Sequence, residues 1–306
     1  MLTLVVMLST LVLQAPAPQA AADAKQAYEK ATAHFDKNEN DQALAAYDLA
    51  ITLDPSKPDA FVGKGRTLAR LRRYDEAFAA YGEALKLAPD DAMILRYRGH
   101  NYINVRKLDL ALADLTKAEA LIEARAREAE RGKGVPASER ARRGAGGPAD
   151  NQDDFGIYYH LALAYYLTGD YAKAAQAYDG CVRTSKTDGD RVSCWAWQYP
   201  SLVRAGRKAD ADAILAKLTP TMDVGENAAY LDRLLLFKGV RTEDEVAATL
   251  TAAPLNQSTA GYGLGLWHLL NGRPAKAKEY FEKATKSDTW QAFGYIAAEM
   301  ELKKLK

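Results

Sequence analysis

Side chains able to do chemistry are few in this chain and widely spaced. Its four histidines are His34, His100, His160 and His268. No pair of them has the spacing that would set two imidazoles on one metal from a single element, so no metal site is assigned. The sequence contains no HExxH, no GxSxG, no GxxxxGK[ST] and no GxGxxG after a strand. Those patterns mark zinc proteases, serine hydrolases and nucleotide-binding loops. The reading is therefore of a non-enzyme with no catalytic residue and no cofactor. Cys181 and Cys194 are the two cysteines. They could form a disulfide if the chain is exported, or be two buried small residues, because cysteine is among the residues most often inside.

The elements that must carry the remaining aromatic and basic side chains are helices. In the stretch PDAFVGKGRTLARLRRYDEAFAAYGEALKLAP, with Pro58 as position 1, Gly65 falls at 8, Tyr74 at 17, Ala77 at 20, Tyr81 at 24, Ala84 at 27 and Pro89 at 32. Small residues let two helix backbones approach, and aromatics fill the grooves beside them. The closing proline stops the second helix, since its ring clashes with the preceding turn. One helix-turn-helix unit is thus complete within this stretch.

The small residue at position 20 serves as a ruler along the chain: Ala43, Ala77, Ala111, Ala174, Ala211 and Ala277. The first two intervals are 34 residues, and the later ones, 63, 37 and 66, fit one unit plus an insertion, one slightly long unit and two units. This resembles the tetratricopeptide repeat, whose period is about 34 residues. The resemblance implies an all-α, right-handed superhelical solenoid of six to seven repeats, the sixth degenerate, with a C-terminal capping helix. Repeats one to three are expected over 24–131 and repeats four to seven over 155–288, with the cap over 289–306. In repeat three Glu123 stands where the terminating proline should be, so its second helix is expected to run on to about Arg131. Residues 132–154 are rich in Gly, Pro and charge without an apolar period, and read as a flexible linker. In repeat five Pro200 lies inside the first helix and should bend it. Repeat six has a capped second helix beginning at Thr242, with Glu245 three residues on.

Composition narrows the partners. With 41 basic against 40 acidic side chains the net charge is +1, so no long-range field draws the chain to nucleic acid or to an anionic membrane. Leu2–Leu13 is an apolar run followed by Ala20-Ala21-Ala22, which reads as a secretory signal over residues 1–22 with a small-residue cleavage site. Such a run is shorter than the roughly 20 residues a membrane span needs. No cysteine follows it to carry an acyl anchor, so the expected location is the periplasm, with the cytoplasm as the alternative.

The family resemblance also implies that positions 2, 5, 6, 9, 12 and 13 of the first helices line a concave face that binds a protein or peptide. Here those positions supply Tyr28, Phe35, Arg66, Arg70, Arg96, His100, Tyr159 and Tyr166. Arginine and aromatic rings are favoured binding anchors. The second half, with GLGLWHLLNGRPAKAKEYFEKA and the terminal WQAFGYIAAEMEL, is similar in style to bacterial envelope adaptors of the NlpI type over the last two repeats and the cap. The implied function is a non-enzymatic adaptor, and the alternative is an envelope assembly protein that self-associates through its repeat edges.

Overall fold

The computed structural model describes residues 18–131, 154–251 and 254–305. Most of the expected leader and all but the last residue of the expected linker, 132–153, lie outside the described residues. Residues 18–22, assigned to the leader, form the opening of the first helix. Every regular element among the described residues is helical.

The chain divides into two compact units, one ending at Asp90 and one beginning at Asp91. The first holds two helical hairpins: α1 (Pro18–Asp36) with α2 (Asn40–Leu53), and α3 (Pro58–Arg70) with α4 (Tyr74–Leu87). Helix α3 packs on α1 and α2 as well as on α4, the neighbour pattern of stacked repeats. The ruler alanines Ala43 and Ala77 are fully buried. A Cβ at Gly65 would stand 2.7 Å from the Tyr81 ring, so only glycine lets α3 and α4 approach this closely at that point.

The second unit contains α5 (Ala92–Asn104), α6 (Leu108–Arg131), α7 (Asp154–Thr168), α8 (Tyr171–Thr184), α9 (Asp188–Arg204) and α10 (Lys208–Ala216). It continues through α11 (Ala228–Lys238), α12 (Glu243–Ala248), α13 (Pro254–Leu270), α14 (Pro274–Ala284) and α15 (Phe293–Lys304). Helix α6 does run on to Arg131. The division between units falls one repeat earlier than the linker would suggest. Helices α5 and α6 of the third repeat pack directly on α7 of the fourth, and Arg125 reaches Asp154 at 2.8 Å.

Local rules explain several boundaries. The Thr242 hydroxyl and the Glu245 carboxylate cap α12 reciprocally, and Thr187 with Asp190 does the same for α9. Turn residues Asn38, Arg72 and Arg106, with φ of 60°, 60° and 62°, each lie five residues before a ruler alanine. The same place in later repeats holds Gly169, Gly206 and Gly272, also at positive φ. Helix α9 passes through Pro200 and continues to Arg204. The proline has no N–H to give the carbonyl of Ala196, four residues back.

Candidate functional site

The expected binding residues divide between the two units. In the first, α1 and α3 bring Tyr28, Phe35, Arg66 and Arg70 together. The Phe35 ring, 5% exposed, lies under two guanidinium groups, with Arg70 Cζ 3.4 Å and Arg66 Cζ 4.6 Å from its centroid. Arg70 Nη1 donates to the Phe35 carbonyl at 2.6 Å and to Asn38 Oδ1 at 3.2 Å. Partial burial, then the neighbouring charge of Arg66, holds the Arg70 guanidinium below its ordinary value. Tyr28 stands 5.9 Å from the Tyr47 ring, its phenol raised by burial and by Asp59. A stacked cation pair on an aromatic ring is a ready contact for carboxylates.

The second unit treats its expected residues differently. Tyr159 is 7% exposed and Tyr166 1%, so both rings are engaged in internal packing and neither offers a partner a surface. Tyr166 and Trp197 lie edge to face at 5.4 Å, Trp197 stacks on Tyr262 at 5.3 Å, and the Tyr166 and Tyr262 hydroxyls meet at 2.5 Å. Burial pushes the Tyr166 phenol up to about 12. Helices α7, α9 and α13 therefore touch through their inner side chains, and the face expected to be a groove is core.

Helix α15 completes this closure. It was expected as a cap on the last repeat, and it does pack on α13 and α14. Its Phe293 also lies 5.7 Å from both His100 and His160, which stack on each other at 4.5 Å. Burial first, then Arg96, brings the His100 imidazole down to about 4. His160, whose Nδ1 is 2.5 Å from the Gly156 carbonyl, is held well below its ordinary value by burial and then by His100. Arg96 lies beside Tyr97 at 5.0 Å on its own helix.

Ion pairs fasten α15 down. Arg204 donates to Glu301 at 2.6 Å and to the Tyr171 hydroxyl at 2.7 Å. Arg106 donates to Glu299 and to the Trp290 carbonyl, each at 2.9 Å. Sequence reasoning missed Arg106, Arg204, Glu299 and Glu301. Their one signal is that Arg106 occupies a turn position better suited to glycine. Cys181 and Cys194 are disulfide-bonded, with Cα atoms 6.1 Å apart, tying α8 to α9.

Two further observations bear on chemistry. Among the described residues no group of three His, Cys, Asp or Glu could hold a metal ion. Nor is any helix among them long and apolar enough to cross a membrane. What the arrangement offers is a cationic, aromatic patch on α1 and α3.

Comparison with known proteins gives the family. Tetratricopeptide-repeat models match residues 28–92, 155–188 and 262–289. No curated protein sequence matches the chain. Among solved structures, the APC/C hetero-tetramer Cut9–Hcn1 is similar at 15% identity and a TM-score of 0.51, over 92% of this chain and 42% of that one. PilF of Pseudomonas aeruginosa is similar at 13% identity and a TM-score of 0.49, over 88% and 93% of the two chains. YrrB, described as a TPR protein with an unusual peptide-binding site, is similar at 18% identity and a TM-score of 0.46, over 65% and 86%. With its hairpins in a 34-residue register, small residues at their crossings and three matched segments, this chain belongs to the tetratricopeptide-repeat proteins.

Proposed function

We propose that this chain is a non-enzymatic adaptor that binds an acidic segment of a protein partner on the inner helices of its first unit. The observation that carries the reading is the pair of guanidinium groups of Arg66 and Arg70 stacked on Phe35, with Tyr28 on the same helix α1. Planar guanidinium forks pair bidentately with carboxylates, and the ring beneath pre-orients them. The corresponding residues of the second unit, Tyr159, Tyr166 and His100, are packed against their own chain, which concentrates recognition in the first unit. The reading places the adaptor in an oxidising compartment, the periplasm of a bacterial envelope. The apolar run Leu2–Leu13 and the buried Cys181–Cys194 disulfide support that location, since such bonds persist outside reducing cytosol.

The test is fluorescence anisotropy of the chain against labelled acidic and neutral peptides of matched aromatic content. The acidic set is expected to bind. The double substitution Arg66→Ala with Arg70→Ala should weaken it by tenfold or more, about the effect of losing one or two anchor residues. Unchanged affinity in that variant overturns the site. A concentration-dependent oligomer in ultracentrifugation, with no peptide binding, turns the reading to self-assembly through the repeat edges.

A further inference from the structure

Arg233 is the one Lys or Arg side chain that is buried among the described residues, at 0% exposure. It projects from α11, in the run LDRLLLF, where Leu231, Leu234 and Leu235 are core. Its stem passes Gly263, where a Cβ would come 2.7 Å from Arg233 Cδ. Its Cζ lies 4.8 Å from the Trp197 ring, 5.2 Å from Tyr230 and 5.8 Å from Tyr262. Nη2 donates to the Ala196 carbonyl at 2.5 Å, the same carbonyl that Pro200 leaves without a helical donor. One guanidinium N–H is thereby accounted for.

The rest are not. Arg233 Nε and Nη1 have no hydrogen-bond partner, and neither do the Trp197 indole N–H nor the Tyr178 hydroxyl. The buried carboxylates of this unit, Asp114 and Glu301, are bonded to Arg98 and Arg204. The three aromatic faces offset part of the buried charge, but the N–H groups in the guanidinium plane still need acceptors. A buried cation without a counter-charge is strongly unfavourable. The groups without partners are an arginine fork, an indole that can only donate, and a phenol whose proton is firmly held by burial. Such a set selects an acceptor that is negative. Because each of these atoms is buried, it also selects one that is small.

We propose that Arg233, with the Trp197 ring beside it at 4.8 Å, forms a buried binding site for a monovalent anion of chloride size. This stands apart from the adaptor reading, which concerns the other unit. The first test is anomalous diffraction from crystals of the wild-type chain soaked in bromide. A peak within hydrogen-bonding distance of Arg233 Nε or Nη1 is expected. The second is thermal unfolding in chloride, acetate and gluconate at equal ionic strength. Chloride should raise the midpoint above gluconate by about 2–4 °C, and Arg233→Met should remove that difference. If the variant does not fold, the bromide experiment on the unaltered chain decides alone. No bromide peak at Arg233 overturns the site, as does an equal midpoint in chloride and gluconate. A midpoint raised by acetate but not by chloride overturns the assigned anion.

Discussion

Arg106 holds a left-handed backbone, φ 62°, at the turn where later repeats place Gly169, Gly206 and Gly272. An L side chain in that conformation costs about 1–2 kcal/mol, and here the side chain returns it through Glu299, the Trp290 carbonyl and cation–π contact with Trp290 at 5.3 Å. Arg106→Ala should therefore destabilise the second unit more than Arg106→Gly does, by about 1 kcal/mol. Chemical denaturation of the two variants measures it, and equal stabilities would mean the turn carries no strain. His100 and His160 set a second residue-level expectation. Both are kept neutral, the buried His160 and the half-buried His100 facing each other, Arg96, Tyr159 and Phe293. The unfolded chain takes up their protons near the ordinary histidine value of about 6.5, whereas His100 resists down to about 4. The unfolded state binds more protons in between, so stability is complete above about pH 6.5 and falls as pH drops through that window. Denaturation midpoints at pH 7 and pH 5 should differ, and His100→Phe should shrink the difference. A midpoint that does not move with pH would mean that the two imidazoles are not held neutral in the folded chain.

Helices differ in how far the sequence announces them. The length of α6 was legible in Glu123, because without a proline nothing stops the second helix of repeat three. The start of α12 was legible in Thr242 and Glu245, because a reciprocal cap is a local event. Helix α15 was legible as a helix, but its seat against α5, α7 and α9 was not. That seat depends on how tightly the superhelix curls, which a repeat period does not encode. Tyr159 and Tyr166 show the same limit. Their positions assign them to an inner face, and only the curvature decides whether that face is a groove or a core. Arg233 was hidden for another reason, since one basic residue in an apolar run reads equally well as a solvated one. The disulfide between α8 and α9 was legible as one of two possibilities. Its reduction should cost the second unit about 2–4 kcal/mol, seen as a lower denaturation midpoint with dithiothreitol, while an unchanged midpoint would mean the bond carries no stability.

For the whole molecule, the division at Asp90 and Asp91 predicts unfolding in two steps. Reducing the disulfide should lower only the step belonging to residues 91–306. Gly65→Ala, which drives a Cβ against the Tyr81 ring, should lower only the step belonging to the first unit, by about 1–3 kcal/mol. Calorimetry of the intact chain checks both, and a single transition shifted by either change would show one cooperative body. The fastening of α15 has a further outcome, in the order of events during folding. Repeat arrays ordinarily close on neighbours, so each hairpin can form soon after it is made. Here Arg106 waits for Glu299, 193 residues later, and His100 for Phe293. These contacts raise the contact order of the second unit above that of an array closed only on neighbours, and folding slows as such distant contacts accumulate. During synthesis, the faces of His100, Tyr159 and His160 that Phe293 covers lie open until the last helix arrives. That interval is when this protein is most exposed to aggregation and has most need of a chaperone.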